Sequence, residues 1–393
     1  MYALGWETVE IRELTADDLD AALDNRIRAF GPVPQDEAET WRRNALPAVE
    51  GGRYLGAFDG ARLVATTRIE DFTQWWHGRP LPMGGIASVT VAPEDRGRGV
   101  GRTIMRTALD RCAALGLPIS ALYPATTRLY RSLGWEHAGA LHQAVLPTEA
   151  LRTIRTAGDV PLRRTGPGDA RALGEVIGRV HAATRASGPV RRSEAAVRRW
   201  LESTRDFVYL AEDGFVAYGW DGHDISVSHL LAGSEATARA LWALVGSSSS
   251  IAKQVRAAVA PDDPVFWLLG ERVNDEVAQA RWMFRVVDPA AAVAGRGFPA
   301  GVTLDAVVHV DDPERPASSG PWHLSVSGGS GTAQPAGTIP KTAPALTAGG
   351  LSALFAGVPT TTLRRAGILT GPADADDALD AAFHARPYMT DAF

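Results

Sequence analysis

The run Arg96-Gly97-Arg98-Gly99-Val100-Gly101 constrains this chain more than any other stretch. An alternating, β-rich segment, Ile86-Ala87-Ser88-Val89-Thr90-Val91, leads into it, and a helical segment opens inside it and runs to about Leu115. The pattern predicts a strand, a Gly-rich turn and a helix N-terminus in succession. The first amides of a helix lack internal partners, and the helix dipole favours anions there. Glycines let the backbone close on a pyrophosphate, and arginines add charge-assisted bonds. A phosphate-bearing ligand is the expectation.

Spacing separates the possible ligands. A Walker loop needs Gly-Lys-Ser/Thr, and the only lysines, Lys253 and Lys341, stand elsewhere. A dinucleotide fingerprint needs G-x-G-x-x-G with an acid some 20 residues on. Here Gly97, Gly99 and Gly101 give G-x-G-x-G, and the next strand, after Pro118, ends without an acid. Arg96, Gly99 and Gly101 do satisfy Arg-x-x-Gly-x-Gly. That motif resembles the acetyl-CoA pyrophosphate loop of GCN5-related N-acetyltransferases. Downstream come a strand at Ile119–Tyr123, a short helix at Thr126–Leu133 and the run Leu129-Tyr130-Arg131-Ser132-Leu133-Gly134-Trp135. This run is similar to the family segment whose tyrosine lies beside the CoA sulfur. The resemblance implies a cofactor-binding set of Val89, Thr90, Val91, Arg96, Gly97, Arg98, Gly99, Val100, Gly101, Arg102, Ala125 and Thr126.

At 393 residues the chain exceeds one compact core, so two or three domains are expected. A hydrophobic content of 45% and a charged content of 22% are ordinary for a globular protein. The net charge of −5, without a long basic run, argues against a nucleic-acid partner. The start, Met1–Glu7, has neither a basic nor an apolar leader region, and no stretch has the length and apolarity of a membrane span. A cytoplasmic protein without a membrane partner is expected. The single cysteine, Cys112, sits among Ala and Leu in the helical run and reads as a core residue. No metal site is expected, and His309-Val310-Asp311-Asp312 reads as a solvated turn.

The chain opens with a strand-like Val9-Glu10-Ile11-Arg12, then Thr15-Ala16-Asp17-Asp18 before a helix through Leu19, Leu23, Ile27 and Phe30. Val160–Arg163, Gly166–Asp169 and a helix through Leu173, Val176, Ile177 and Val180 repeat this about 150 residues later. Phe207–Glu212 and Phe215–Trp220 then read as a hairpin about Asp213-Gly214, followed by a strand at Ile225–Leu231. The next helix opens on Ala232-Gly233-Ser234-Glu235, without the arginine and glycine pattern. The second copy is therefore expected not to bind CoA. The last third has strands at Val302–Val310 and Trp322–Val326 and helices at Thr347–Leu354 and Asp374–Phe383, which predicts a small α+β domain.

Together these parts resemble the Eis (enhanced intracellular survival) family of acetyltransferases. The resemblance implies an α+β chain of tandem acetyltransferase folds plus a C-terminal sterol-carrier-protein-like domain. The division is 1–150 for the acetyl-CoA-binding domain, 151–290 for a degenerate copy and 291–393 for the third domain. It also implies a hexamer and direct transfer of acetyl to an amine, with Tyr130 as general acid. It implies as well that the carboxylate of the terminal Phe393 enters the first active site. Aminoglycosides are the acceptors by resemblance. The expected wall comprises the helix 19–30, the loop Gly31–Glu39, Phe72–Trp76 and the tail, with Asp24, Phe30, Asp36, Trp41, Ser88 and Asp391 as substrate-binding residues. Ala392 stands where an acid is expected, and Ser88 where a larger apolar side chain is, so other amines remain open: a lysine peptide, a polyamine or a secondary metabolite. A non-enzymatic alternative is a CoA-sensing or lipid-binding protein.

Overall fold

A computed structural model describes residues 9–270 and 276–393, apart from the side chains of Gln35 and Asp36. The opening Met1–Glu7 and the side chain of Asp36 thus lie outside the described part. Both copies of the repeat begin with one device. The Thr15 amide donates to Asp18 Oδ2 at 2.8 Å, and Arg12 holds the same carboxylate at 2.8 Å. In the second copy the Gly166 amide donates to Asp169 Oδ2 at 2.9 Å, and Arg163 pairs with that carboxylate at 2.7 Å. Each acid closes a turn and opens a helix whose apolar stripe faces a sheet.

The first unit comprises β1 (Glu10–Glu13), α1 (Leu19–Phe30), α2 (Gln35–Glu50), β2 (Tyr54–Asp59), β3 (Arg62–Trp76), β4 (Arg79–Val91), α3 (Val100–Ala114), β5 (Ile119–Leu122), α4 (Thr127–Arg131), β6 (Glu136–Pro147) and α5 (Thr148–Arg152). The second comprises β7 (Arg163–Arg164), α6 (Ala170–Ala183), β8 (Val190–Arg191), α7 (Glu194–Ser203), β9 (Phe207–Ala211), β10 (Gly214–Asp221), β11 (Asp224–Ala232), α8 (Glu235–Gly246), β12 (Gln254–Val259), α9 (Val265–Leu268) and β13 (Glu276–Val286). The expected loop Gly31–Glu39 is corrected here: it turns helical at Gln35, because Pro34 presets the start and Trp41, Leu46 and Val49 face the α1 core.

The two units share one sheet of 13 strands, β1-β2-β3-β4-β5-β13-β6-β12-β11-β10-β9-β7, with β8 pairing on β3. Strand β13 lies between β5 and β6, antiparallel to both. The last strand of the second unit thus completes the sheet of the first. Both copies carry a bulge at matching places. Ser88 and Val89 together face Thr67 on β3, and Ser228 is the extra residue of β11 against β10. Both also fork: β4 pairs with β5 only through Met83–Gly85, and β11 with β12 only through Ile225–Val227.

The third unit has α10 (Pro289–Gly295), β14 (Leu304–Asp311), β15 (Gly320–Ser327), β16 (Ser330–Pro335), β17 (Ala345–Thr347), α11 (Ala348–Phe355), α12 (Thr360–Arg365), β18 (Leu369–Thr370) and α13 (Asp376–Phe383). Its five strands run β16-β15-β14-β17-β18. The unit buries Trp322, Leu324, Phe355 and Phe383 in one core with Trp76 and Phe284 of the large sheet. Two buried arginines fix this joint. Arg285 of β13 bonds Asp312 at 2.6 Å and the Leu133 carbonyl at 3.1 Å. The solvated turn expected at 309–312 is therefore corrected at Asp312, which is 1% exposed because it neutralises Arg285. Arg296 lies against the rings of Trp76, Phe298, Phe355 and Phe383 and donates to the Phe355 and Phe383 carbonyls. Burial pushes its guanidinium down to about 9.

Candidate active site

The Gly-rich run folds as a strand, a turn and a helix: β4 ends at Val91 and α3 opens at Val100. Gly97 and Gly99 take φ of 81° and 82°, a region that side-chain-bearing residues rarely adopt. A Cβ built at either meets nothing within 4 Å, so the loop faces open space. Gly99 is the N-cap of α3 and has no side chain to bond the first amides. Among the described residues the amides of Val100 and Gly101 have no acceptor, and they point a helix dipole at the opening. A Cβ at Gly101 would meet Val91 Cγ2 at 3.4 Å and Leu129 at 3.7 Å, so Gly101 lies between the end of β4 and α4. These features form an anion cradle that fits a pyrophosphate. In the second unit Ser234 caps α8 by accepting from Thr237 N–H at 3.3 Å, which occupies the corresponding place.

The arginines divide. Arg96 donates to the Val91 carbonyl at 3.4 Å beside the cradle. Arg98 bonds Asp59 at 3.1 Å and Asp95, and these contacts raise its pKa and fix the loop to β2. Arg102 is held by Ser132 and by Glu314 of the third unit, while Arg106 donates to Glu314 at 2.8 Å. Two of the expected phosphate ligands thus brace the loop. Val100 is core, and Ala125 and Thr126 are exposed at the start of α4.

Beyond Gly85, β4 has no strand partner on the β5 side among the described residues. Ser88 takes φ of 50° at the bulge, which turns the backbone of Val89–Val91 relative to β3. The Thr90 hydroxyl bonds the Thr66 hydroxyl at 2.7 Å, away from the fork, while Val89 and Val91 pack on the first core. Tyr130 is 5% exposed in that core, and burial pushes its phenol up to about 12.

The chain's end lies at the vertex of the fork. The Tyr388 amide donates to the Ser187 carbonyl at 3.1 Å and the Met389 amide to the Ala140 carbonyl at 3.3 Å, which carries the tail between the first two units. The Asp391 carbonyl accepts from the Tyr123 hydroxyl at 3.1 Å, just beyond β5. Its carboxylate meets Arg192 at 3.1 Å and His229 at 3.6 Å. Burial pushes that carboxyl up, but the His229 and Arg192 contacts outweigh it and hold it well below the usual range. The Phe393 ring then packs 4.9 Å from Phe72 and 5.8 Å from Tyr123, against Gly85.

The expected wall is only partly assembled. Asp24 is exposed and pairs with Arg28 at 2.9 Å. Phe30 is 56% exposed, Trp41 packs between α1 and α2, and Trp75 and Trp76 are core. Asp391 is a strut to the second unit rather than a free acid. Sequence reasoning missed Gly85, Tyr123, Arg192 and His229. Gly84-Gly85 within a β pattern was the available signal, since glycine there marks a close approach. Next to Phe72, a hollow of about 410 Å³ opens between β3 and α6/α7. Its charges alternate: Asp71, Glu175 and Glu194 stand with Arg171, Arg191 and Arg192. Among the described residues no group of His, Cys, Asp and Glu has a metal-holding arrangement, and no helix is long and apolar enough to cross a membrane.

Comparison with known proteins agrees with this architecture. Residues 10–138 and 188–286 each match an acetyltransferase (GNAT) domain family, and 289–390 match a sterol carrier protein domain. A GCN5-related N-acetyltransferase from Kribbella flavida is 46% identical and superposes with a TM-score of 0.94 over 98% of this chain and 99% of its own. An N-acetyltransferase of Streptomyces avermitilis is 27% identical over 82% of this chain and 83% of its own. N-acetyltransferase Eis of Mycobacterium tuberculosis is 26% identical over 74% of this chain and 77% of its own. GNAT domains use acetyl-CoA, which the cradle at Gly97–Gly101 fits. The chain is an N-acetyltransferase of the GCN5-related family, of the Eis-like kind with two acetyltransferase domains and a sterol-carrier-protein domain.

Proposed function

We propose that the chain transfers acetyl from acetyl-CoA directly to an amine of a small molecule, and that its own C-terminus takes part. The observation that carries this is the terminal Phe393 docked at Gly85, where β4 and β5 separate. The amides of Gly99–Gly101 hold the pyrophosphate, with Arg96 beside them. When bound, the donor supplies an activated thioester. Backbone amides of Val89–Val91 hold its carbonyl oxygen as negative charge grows there. Tyr130 stays protonated at neutral pH and directs its hydroxyl proton to the departing sulfur. The Phe393 carboxylate, an acid with a pKa near ~3.5, is a weak base and works chiefly by attracting and aligning the ammonium, then receiving its proton.

For the acceptor, the hollow beside Phe72 supports a molecule with one or two amines on a partly apolar body. Its acids are matched by arginines, and Asp391 is already held by Arg192 and His229. This moves the reading away from the aminoglycosides implied by resemblance. The hexamer implied by the family resemblance and the expected cytoplasmic location belong to this same reading. A turnover screen with acetyl-CoA over monoamines, polyamines, lysine peptides and aminoglycosides tests it. An aminoglycoside with the highest kcat/KM of the set would overturn the acceptor assignment.

A further inference from the structure

The second domain has lost its anion cradle but kept a cavity. It measures about 170 Å³ and lies between α6, α7, β10 and β11, next to the bulge at Ser228. That is the place in the second copy that corresponds to the space beside the Ser88 bulge in the first. Leu173, Ile177, Val197, Trp200, Phe215 and Leu231 supply apolar walls. Apolar cavities of about 150 Å³ in other proteins stay dry and take up benzene, so this one has room for a single substituted ring.

Among the described residues, His181 supplies the one fully buried side-chain polar atom of the wall that has no hydrogen-bond partner. His181 is 6% exposed, its Nδ1 is fully buried, and neither ring nitrogen has a hydrogen bond among the described residues. Burial pushes its imidazole down to about 4, so it is neutral at physiological pH, with one donor and one acceptor nitrogen. A buried polar group left unpaired is costly; Nδ1 is closed off, so a hydroxyl in the cavity would pair Nε2, the ring nitrogen that keeps accessible surface. The other charges of the wall are matched: Asp391 is held by Arg192 and His229, and Arg191 is exposed at the rim. A charged ligand would therefore leave a charge uncompensated. We propose that this cavity is a binding site for a small neutral ring compound bearing one hydroxyl, with its ring among the apolar walls and its hydroxyl on His181. Tyr388, Thr390 and Asp391 close the remaining side, so occupancy and tail docking are linked and each favours the other.

The test uses phenol and toluene as probes on the full chain saturated with CoA, read by calorimetry or ligand-observed NMR. Phenol binds saturably and about fivefold or more tighter than toluene. His181→Phe abolishes that difference while toluene still binds. Leu173→Trp fills the cavity and weakens both probes at least tenfold; Ile177→Phe is the substitute if that variant fails to fold. Unchanged acetyl-CoA affinity shows that the variants are folded. The proposal is overturned if neither probe saturates, if phenol and toluene bind equally to the wild-type chain, or if binding survives the filled cavity.

Discussion

Gly85→Ala isolates the placement of the chain's end from everything else in the site. A Cβ at position 85 would lie 2.6 and 2.7 Å from Phe72 ring atoms and 2.9 Å from Phe393 Cε2. Contacts that short force something to move. Phe72 is 4% exposed and set within a paired strand, whereas Phe393 is half-buried and belongs to no helix or strand. The terminal ring is the part free to leave. Overpacking of this kind costs roughly 1–3 kcal/mol. If tail release relieves it, the ratio of docked to released tail falls by about 5- to 150-fold, at 1.4 kcal/mol per tenfold. The cradle at Gly97–Gly101 lies elsewhere, so KM for acetyl-CoA should stay within about twofold while kcat falls about fivefold or more. Steady-state kinetics with each substrate varied give the two numbers. Gly85→Ala/Phe393→Leu shortens the colliding side chain and should recover part of kcat. A folded Gly85→Ala protein with wild-type kcat would refute the reasoning.

Gly99→Val places a β-branched residue at φ of 82° and closes the open face of the cradle, so acetyl-CoA affinity measured by calorimetry should fall at least tenfold. The same titration of the wild-type chain should give one acetyl-CoA per chain, because Ser234 already caps the helix that would serve a second site. Asp312→Asn leaves the buried Arg285 charge uncompensated and should cost about 3–5 kcal/mol, seen as a lower midpoint in urea unfolding.

What could be read in the sequence was local. The glycines of 97–101, the capping acids Asp18 and Asp169 and the hairpin at Asp213-Gly214 each signal their structure within a few residues, and the repeat emerged from comparing them. What could not be read was long-range. Nothing in Glu276–Val286 says that it pairs with β5 and β6 of the first domain, because a strand's pattern reports its faces and not its neighbours. Arg285 and Arg296 look like surface residues until the third domain closes over them. Asp391 and Asp24 looked equivalent as acids, yet one is locked between Arg192 and His229 and the other lies on an exposed helix. Arg98 sits inside the motif and Arg102 next to it, but they are claimed by Asp59 at the end of β2 and by Glu314 of the third unit, which come from distant parts of the chain.

The central claim is that the terminal carboxylate of Phe393 acts at the fork between β4 and β5. The most direct measurement compares kcat for acetyl transfer by the chain ending at Phe393 with that of a chain extended by one glycine. The extension keeps the ring that packs on Phe72 and Tyr123 but turns the carboxylate into a neutral amide and moves the charge one residue on. The account predicts equal acetyl-CoA affinity and a fall in kcat of about 10²- to 10⁴-fold, the range of general acid–base groups. Equal kcat for the two chains would contradict it.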